Sequence, residues 1–434
     1  MTLREEYRYW SLISIIALAI AGVFALLLVF SRTPYVQDIL PWPWKSFFHK
    51  GLVTHVIFSF VVWFLATMGA FWAYSLAQQQ GDDARSKIGG FALLLAVAGC
   101  LGLILPALLD LGEAELNNYV PVMTHWLYYL GLVLLAAGLL ICALRQMIMG
   151  SGFNGQKATA ILYIIALICF TLAYSYLPDG LSSPSYNERL FWGGGHVLQF
   201  VNTALLFLAW QFVARDPILS PPYVVLTFGI LVVFALPTPI TYLIFDVLGQ
   251  VHRDFYTDLL RYGLLLPSLI FSLGLIRFLV SEKRRQLDRL TQQVLWLSLI
   301  TYNLGGLYGL LLDGTDTRVP AHYHAVIGGI NLSFMIFYHR VLLPAIEVPV
   351  REGLLFTAQY WLYGLGQIMH ASGMFLAGSM GVPRKTSGDA QALDSLEKVL
   401  SMGLMGIGGI IAVLGGVLFV IMTLKWMMSA RRAG

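Results

Sequence analysis

The sequence predicts an all-α integral membrane protein of twelve transmembrane helices with both termini cytoplasmic. The prediction rests on three features of the chain. Of its 434 residues, 58% are apolar and 12% charged, whereas soluble domains carry about 25% charged residues. Its mean hydropathy is +0.74, which excludes an ordinary soluble globule, and so apolar a chain is not disordered. Apolar runs recur at the length of a bilayer-crossing helix, roughly 20 residues. The net charge of +4 is too slight to imply a nucleic-acid partner.

Taken in order, residues 1–10 lack the small-residue cleavage site of a signal peptide, so the first span, 10–30, is expected to be retained. Spans 2 (52–75) and 3 (90–110) follow. An acidic loop bearing Asp110, Glu113 and Glu115 leads to span 4 (125–148). Spans 5 (158–177), 6 (190–213), 7 (222–248) and 8 (257–281) come next. The basic loop Lys283-Arg284-Arg285-Gln286-Leu287-Asp288-Arg289 precedes spans 9 (293–312), 10 (320–342), 11 (354–377) and 12 (403–429). No extramembrane stretch is long enough for a soluble domain, so 1–434 reads as a single twelve-helix membrane domain. The termini and the even-to-odd loops hold 17 of the 27 Lys and Arg residues; the other loops hold 10. Cytoplasmic loops carry the excess of Lys and Arg, which places both termini inside. Cys100, Cys142 and Cys169 sit in apolar runs without metal or redox spacing, and read as small core residues.

There are nine histidines. Ionisable groups inside a membrane are expensive and usually functional. In the orientation set by charge, His55, His196, His322 and His324 fall near the outer ends of spans 2, 6 and 10. His252 falls in the outer loop between spans 7 and 8. Residues two apart on a helix point about 200° apart, so His322 and His324 face opposite flanks of span 10 and could serve two metal centres. Histidine is the usual axial ligand of haem iron. A bis-histidine haem needs a partner from another helix, and His55 lies at the right depth. A second haem would take only one of the pair and keep an open face, beside which His196 and His252 could hold a metal. The bland alternative is five unrelated histidines bonded to backbone.

At these residues the sequence resembles subunit I of the haem–copper oxidase superfamily, over nearly its whole length. Ala321-His322-Tyr323-His324-Ala325-Val326 resembles that family's HxH motif. Gly305-Gly306-Leu307-Tyr308-Gly309 resembles its glycine-rich end of helix nine. Gly381-Val382-Pro383-Arg384-Lys385 resembles its propionate-pairing loop, Gly195-His196 its first binuclear-site histidine, and Val251-His252-Arg253 its adjacent histidine pair. The resemblance implies a twelve-helix bundle in a prokaryotic cytoplasmic membrane with two haems near the outer, periplasmic face. It implies that His55 and His324 are axial ligands of a low-spin haem and His322 the proximal ligand of a high-spin haem. His196 and His252 would bind a non-haem metal, and Arg384 and Lys385 would pair with propionates.

Three departures bear on the reaction. Arg253 replaces a metal-binding histidine and stays protonated. Asp254 is the near carboxylate, either a ligand or the partner of Arg253, and histidine plus carboxylate suits iron better than copper. Phe200 stands where oxygen reducers place a tyrosine; Tyr242 and Tyr256 are possible substitutes, and Gln199 a possible polar neighbour. Phe271 stands where proton pumps place a lysine, and Asp246 and Asp258 suggest proton supply from outside. Together these resemble the nitric oxide reductase branch, although its span-6 glutamate is absent. The expected activity is therefore reduction of two NO to N2O and water, with oxygen reduction as the alternative. Electrons would come from a cupredoxin or cytochrome c subunit, with direct quinol oxidation as an alternative. A non-catalytic haem electron carrier is a rival reading. A secondary transporter is a weaker one, because it predicts a midplane site.

Overall fold

The computed structural model describes residues 1–32, 44–152, 154–312, 314, 316–384 and 391–430. A long helical stretch stands at each of the twelve segments. Among the described residues, ten of these stretches are long and apolar enough to cross a membrane, so the chain is a helical integral membrane protein. The other two, Arg289–Leu310 and Leu354–Ser379, span 22 and 26 residues. Their hydropathy is lowered by polar side chains within them, such as Asn303, Gln359, Gln367 and His370.

Helix limits follow local chemistry. Ser86, Asn154 and Asp288 each precede a helix and accept from a backbone N–H of its first turn, at 3.0, 2.9 and 2.9 Å; such caps satisfy donors the helix leaves orphaned. Two turns widen to π-helix, Ile57–Val62 and Tyr338–Leu342. Turns of this kind concentrate at functional sites. Residues 250–263, expected as loop at their start, form the helix Gln250–Gly263. The acidic loop after span 3 contains a two-stranded ribbon, Ala114–Glu115 paired with Val122–Met123.

The chain forms two compact units, and the boundary falls inside the helix Ser183–Ala214. Unit 1 comprises Met1–Leu205 and Pro221–Pro267. Within it, glycines let helices Lys87–Leu108 and Trp126–Met149 approach closely: a Cβ on Gly102 would lie 2.8 Å from the Gly131 Cα. Small residues at such contacts supply packing that the hydrophobic effect cannot supply in lipid. A buried ion pair fastens the same unit, Arg145 to Glu6 at 2.5 and 2.7 Å, with Ser86 sharing the guanidinium at 2.9 Å. Unit 2 comprises Leu206–Ser220 and Ser268–Gly434. There Arg289–Leu310 packs on Arg318–Phe337, and Leu354–Ser379 packs on Leu396–Ala430.

Candidate functional site

Unit 1 holds His55, His196 and His252. The run Gly193-Gly194-Gly195 explains how His196 is surrounded. Successive helical residues point about 100° apart, so three missing side chains open three directions. A Cβ on Gly193 would meet Tyr242 and Tyr256, one on Gly194 would meet Phe170, and one on Gly195 would meet Tyr119. His196 is 2% exposed. Its Nδ1 lies 2.6 Å from the Trp192 carbonyl oxygen and its Nε2 3.0 Å from the Tyr119 hydroxyl. The carbonyl can only accept, so Nδ1 carries the proton and Nε2 accepts from Tyr119. Burial, with help from Glu188, raises the Tyr119 phenol above its ordinary pKa, which keeps it a donor.

His252 is placed differently. It lies in the helix Gln250–Gly263 and is 1% exposed. Neither of its ring nitrogens has a hydrogen-bond partner. Its ring lies 4.8 Å from that of Tyr242 and 5.1 Å from that of Tyr256, and the His196 ring lies 5.6 Å from that of Tyr256. Tyr256 is tethered away from both histidines, donating to the Thr238 carbonyl at 3.1 Å. The Tyr242 hydroxyl is buried without a hydrogen bond of normal geometry. Buried polar groups nearly always have partners, and an unpartnered one costs about 1–3 kcal/mol. Both nitrogens of His252 are thus without a partner, whereas His196 has Nδ1 on the Trp192 carbonyl and Nε2 on the Tyr119 hydroxyl.

Asp254 does not join this set. The helix turns residue 254 away from residue 252, and its exposed carboxylate accepts from Gln250 at 2.6 Å. Had residues 250–254 formed a loop, the expected third ligand could have folded back; in a helix it cannot. Arg253 lies with its guanidinium 4.9 Å from the Trp192 ring, not paired with Asp254. Gln199 bonds the Gly195 carbonyl at 3.1 Å. Among the described residues, no three His, Cys, Asp or Glu side chains come together as a metal site. His55 closes the helix Trp44–Val56 just before the π-turn. Its Nδ1 is 2.9 Å from the Ala21 carbonyl, so Nδ1 carries the proton and the lone pair is on Nε2.

Unit 2 holds His322, His324 and Arg384; Lys385 lies outside the described residues. The glycine-rich run of Arg289–Leu310 seats His322. Its Nδ1 donates to the Gly305 carbonyl at 2.7 Å, and a Cβ on Gly309 would come within 2.7 Å of its ring. A metal-binding histidine is characteristically oriented by such a bond at its other nitrogen. On the other flank, the His324 ring meets His370 edge to face at 4.8 Å. His370 was not singled out by the sequence; its Nδ1 is held by the Met405 carbonyl at 2.8 Å. The stretch after Leu354–Ser379 is clasped to the start of span 10 by a bridge between Asp316 and Pro383. Hydrogen bonding to Arg318, at 2.6–3.1 Å, holds the Asp316 carboxyl below its usual pKa. Arg384 follows that bridge, close enough for its charge to act on Tyr323.

The family model described as "Cytochrome C and Quinol oxidase polypeptide I" matches residues 7–418. An uncharacterized protein of Rickettsia prowazekii (strain Madrid E) is 25% identical, over 95% of this chain and 94% of its own length. An uncharacterized protein of Aquifex aeolicus (strain VF5) is 32% identical, over 75% of this chain and 83% of its own.

Proposed function

The chain belongs to the cytochrome c and quinol oxidase polypeptide I family, and on that premise we propose that it is the catalytic subunit of a membrane-bound nitric oxide reductase. Membership makes it a haem–copper oxidase-type oxidoreductase subunit, a class that binds haems and a metal centre. The proposed reaction converts two NO, two electrons and two protons to N2O and water. When bound, a low-spin haem, a high-spin haem and a non-haem iron would supply the electrons and hold the gas.

The orphaned imidazole of His252 carries the reading: it supports a metal-binding centre where an electron carrier would need none. His196 and His252 would hold the non-haem metal, His322 the high-spin haem, and His55 and His324 the low-spin haem. Arg384 and Lys385 would pair with propionates. The Tyr119 hydroxyl occupies His196 Nε2, the nitrogen a metal would take, so metal binding would require that hydroxyl to turn aside and leave its proton near the site. NO is favoured over O2 by Phe200, fully buried where oxygen reducers place a tyrosine, since a phenyl ring gives neither proton nor electron. Electrons would arrive from a cupredoxin or cytochrome c subunit at the outer face.

One observation favours O2 as a second reading: Tyr119, from outside span 6, reaches His196. Metal analysis of the purified complex, with N2O formation and O2 uptake followed in parallel, separates the two. Iron in excess of haem iron, no copper, and N2O as product are expected. One copper per chain, with O2 uptake abolished in Tyr119→Phe, would replace NO by O2. Haem iron alone with neither activity would leave only electron transfer.

A further inference from the structure

In unit 2, two helices close on left-handed residues that are not glycine. The helix Ser183–Ala214 gives way to Arg215 at φ 60°, and the helical stretch Arg318–Ala345 to Glu347 at φ 59°. At the second end, the Val348 N–H bonds the Leu343 carbonyl at 2.9 Å and the Glu347 N–H bonds the Pro344 carbonyl at 3.0 Å, the paired bonds of a Schellman motif. Glycine is the usual residue in that conformation, because a side chain there costs strain. An arginine and a glutamate in glycine's place are side chains kept at a conformational cost, and strain of this kind clusters at ligand sites.

Both residues line one cavity of about 390 Å³, with His339, Arg340, Pro344 and Val348 also in its wall. Pockets for small molecules run from about 300 to 1,000 Å³. Arg215 and Glu347 lie in connections between spans, the depth at which a bilayer's headgroups lie. Asp216, beside Arg215, lies 3.9 Å from Lys283, and among the described residues no carboxylate pairs with Arg215. Arg340 is already held by Glu352 at 2.6 Å and by Asp288 at 3.1 Å. His339 has both ring nitrogens engaged, by Tyr360 at 2.7 Å and by Thr423 at 3.0 Å. The cavity therefore presents charge of both signs, at Arg215 and Glu347, beside an apolar wall.

We infer that this cavity is a binding site for the headgroup of phosphatidylethanolamine from the adjoining leaflet. Its phosphodiester takes the Arg215 guanidinium, whose planar fork suits phosphate oxygens. Its ammonium donates to the Glu347 carboxylate, and its glycerol end lies along Pro344 and Val348. The two signs of charge select this headgroup. Phosphatidylglycerol brings no cation and leaves Glu347 facing an anion. Phosphatidylcholine brings a cation that has no N–H to donate. The inference stands apart from the gas-reducing centre and from the choice between NO and O2.

The test uses the purified complex, stripped of lipid in a neutral detergent. It is titrated with phosphatidylethanolamine, phosphatidylcholine or phosphatidylglycerol of identical acyl chains, and bound lipid is counted by native mass spectrometry. One tightly held phosphatidylethanolamine per chain is expected, bound about tenfold more tightly than either other lipid, the difference one charge-assisted hydrogen bond makes. Arg215→Gly and Glu347→Gly relieve the left-handed backbone, so both should melt no lower than the parent. Arg215→Gly should nevertheless weaken all three lipids by about tenfold, and Glu347→Gly should erase the preference for phosphatidylethanolamine over phosphatidylcholine. Equal affinity of the parent for the three lipids, tighter binding of phosphatidylglycerol, or unchanged phosphatidylethanolamine binding by either glycine variant would overturn the site. Displacement of the lipid by an equal concentration of soluble glycerophosphoethanolamine would overturn the bilayer as the source of the headgroup.

Discussion

His252 and Asp254 stand two residues apart, and the structure gives them opposite environments. His252 is buried with both ring nitrogens unpartnered, whereas the Asp254 carboxylate is exposed and occupied by Gln250. His252→Ala should therefore lose the non-haem metal outright, a larger effect than the roughly 10- to 100-fold weakening typical of a supporting residue. Haem bands should stay unchanged. Asp254→Asn should keep its metal at the parent stoichiometry. Metal analysis of the two variants checks both, and loss of metal from Asp254→Asn would return the carboxylate to the ligand set. Much of this contrast was hidden in the sequence. The polar run Gln250, Arg253, Asp254 lowers local hydropathy and reads as loop, while His252, Tyr256 and Leu259 are buried on one side of a helix. Tyr119 was illegible for a different reason: it reaches His196 from a connecting segment, and no periodicity announces a contact made across 77 positions.

Between elements, glycine placement decides how closely a histidine can be seated. The face of Arg289–Leu310 toward Arg318–Phe337 presents Gly305 and Gly309, the first as carbonyl acceptor and the second as space for the His322 ring. This much was legible, because the HxH pair and the glycine run are local patterns on two consecutive helices. His370 was not, because its partner His324 lies on another helix. Gly309→Ala puts a methyl group within 2.7 Å of the imidazole. Overpacking of this kind costs about 1–3 kcal/mol, and the ring is the part free to move. The variant should fold and keep the low-spin haem band, but bind CO weakly or not at all at the high-spin haem. Gly306→Ala, which meets open space, is the matched control and should bind CO as the parent does. Equal CO binding by both variants would break the link between this glycine and the His322 seat.

For the whole molecule, the helices follow from composition, but their direction across the bilayer follows only from charge. The bias is 17 against 10 Lys and Arg residues, and it is strongest at Lys283, Arg284 and Arg285. The orphaned imidazole of His252 and the clasp at Asp316 belong to stretches assigned outside. A cavity lined by Arg215, His339, Arg340 and Glu347 adjoins the basic stretch assigned inside, where Arg340 lies 3.1 Å from Asp288. If the assignment holds, a cysteine at Glu113 should react with an impermeant maleimide added to intact cells, while one at Arg285 should react only after the membrane is opened. Cys100, Cys142 and Cys169 lie within helices and can be replaced by serine or alanine for this purpose. Both positions lie outside the spans, at exposed sites where a substitution rarely shifts stability by more than about 0.5 kcal/mol. Labelling at Arg285 but not at Glu113 would invert the molecule.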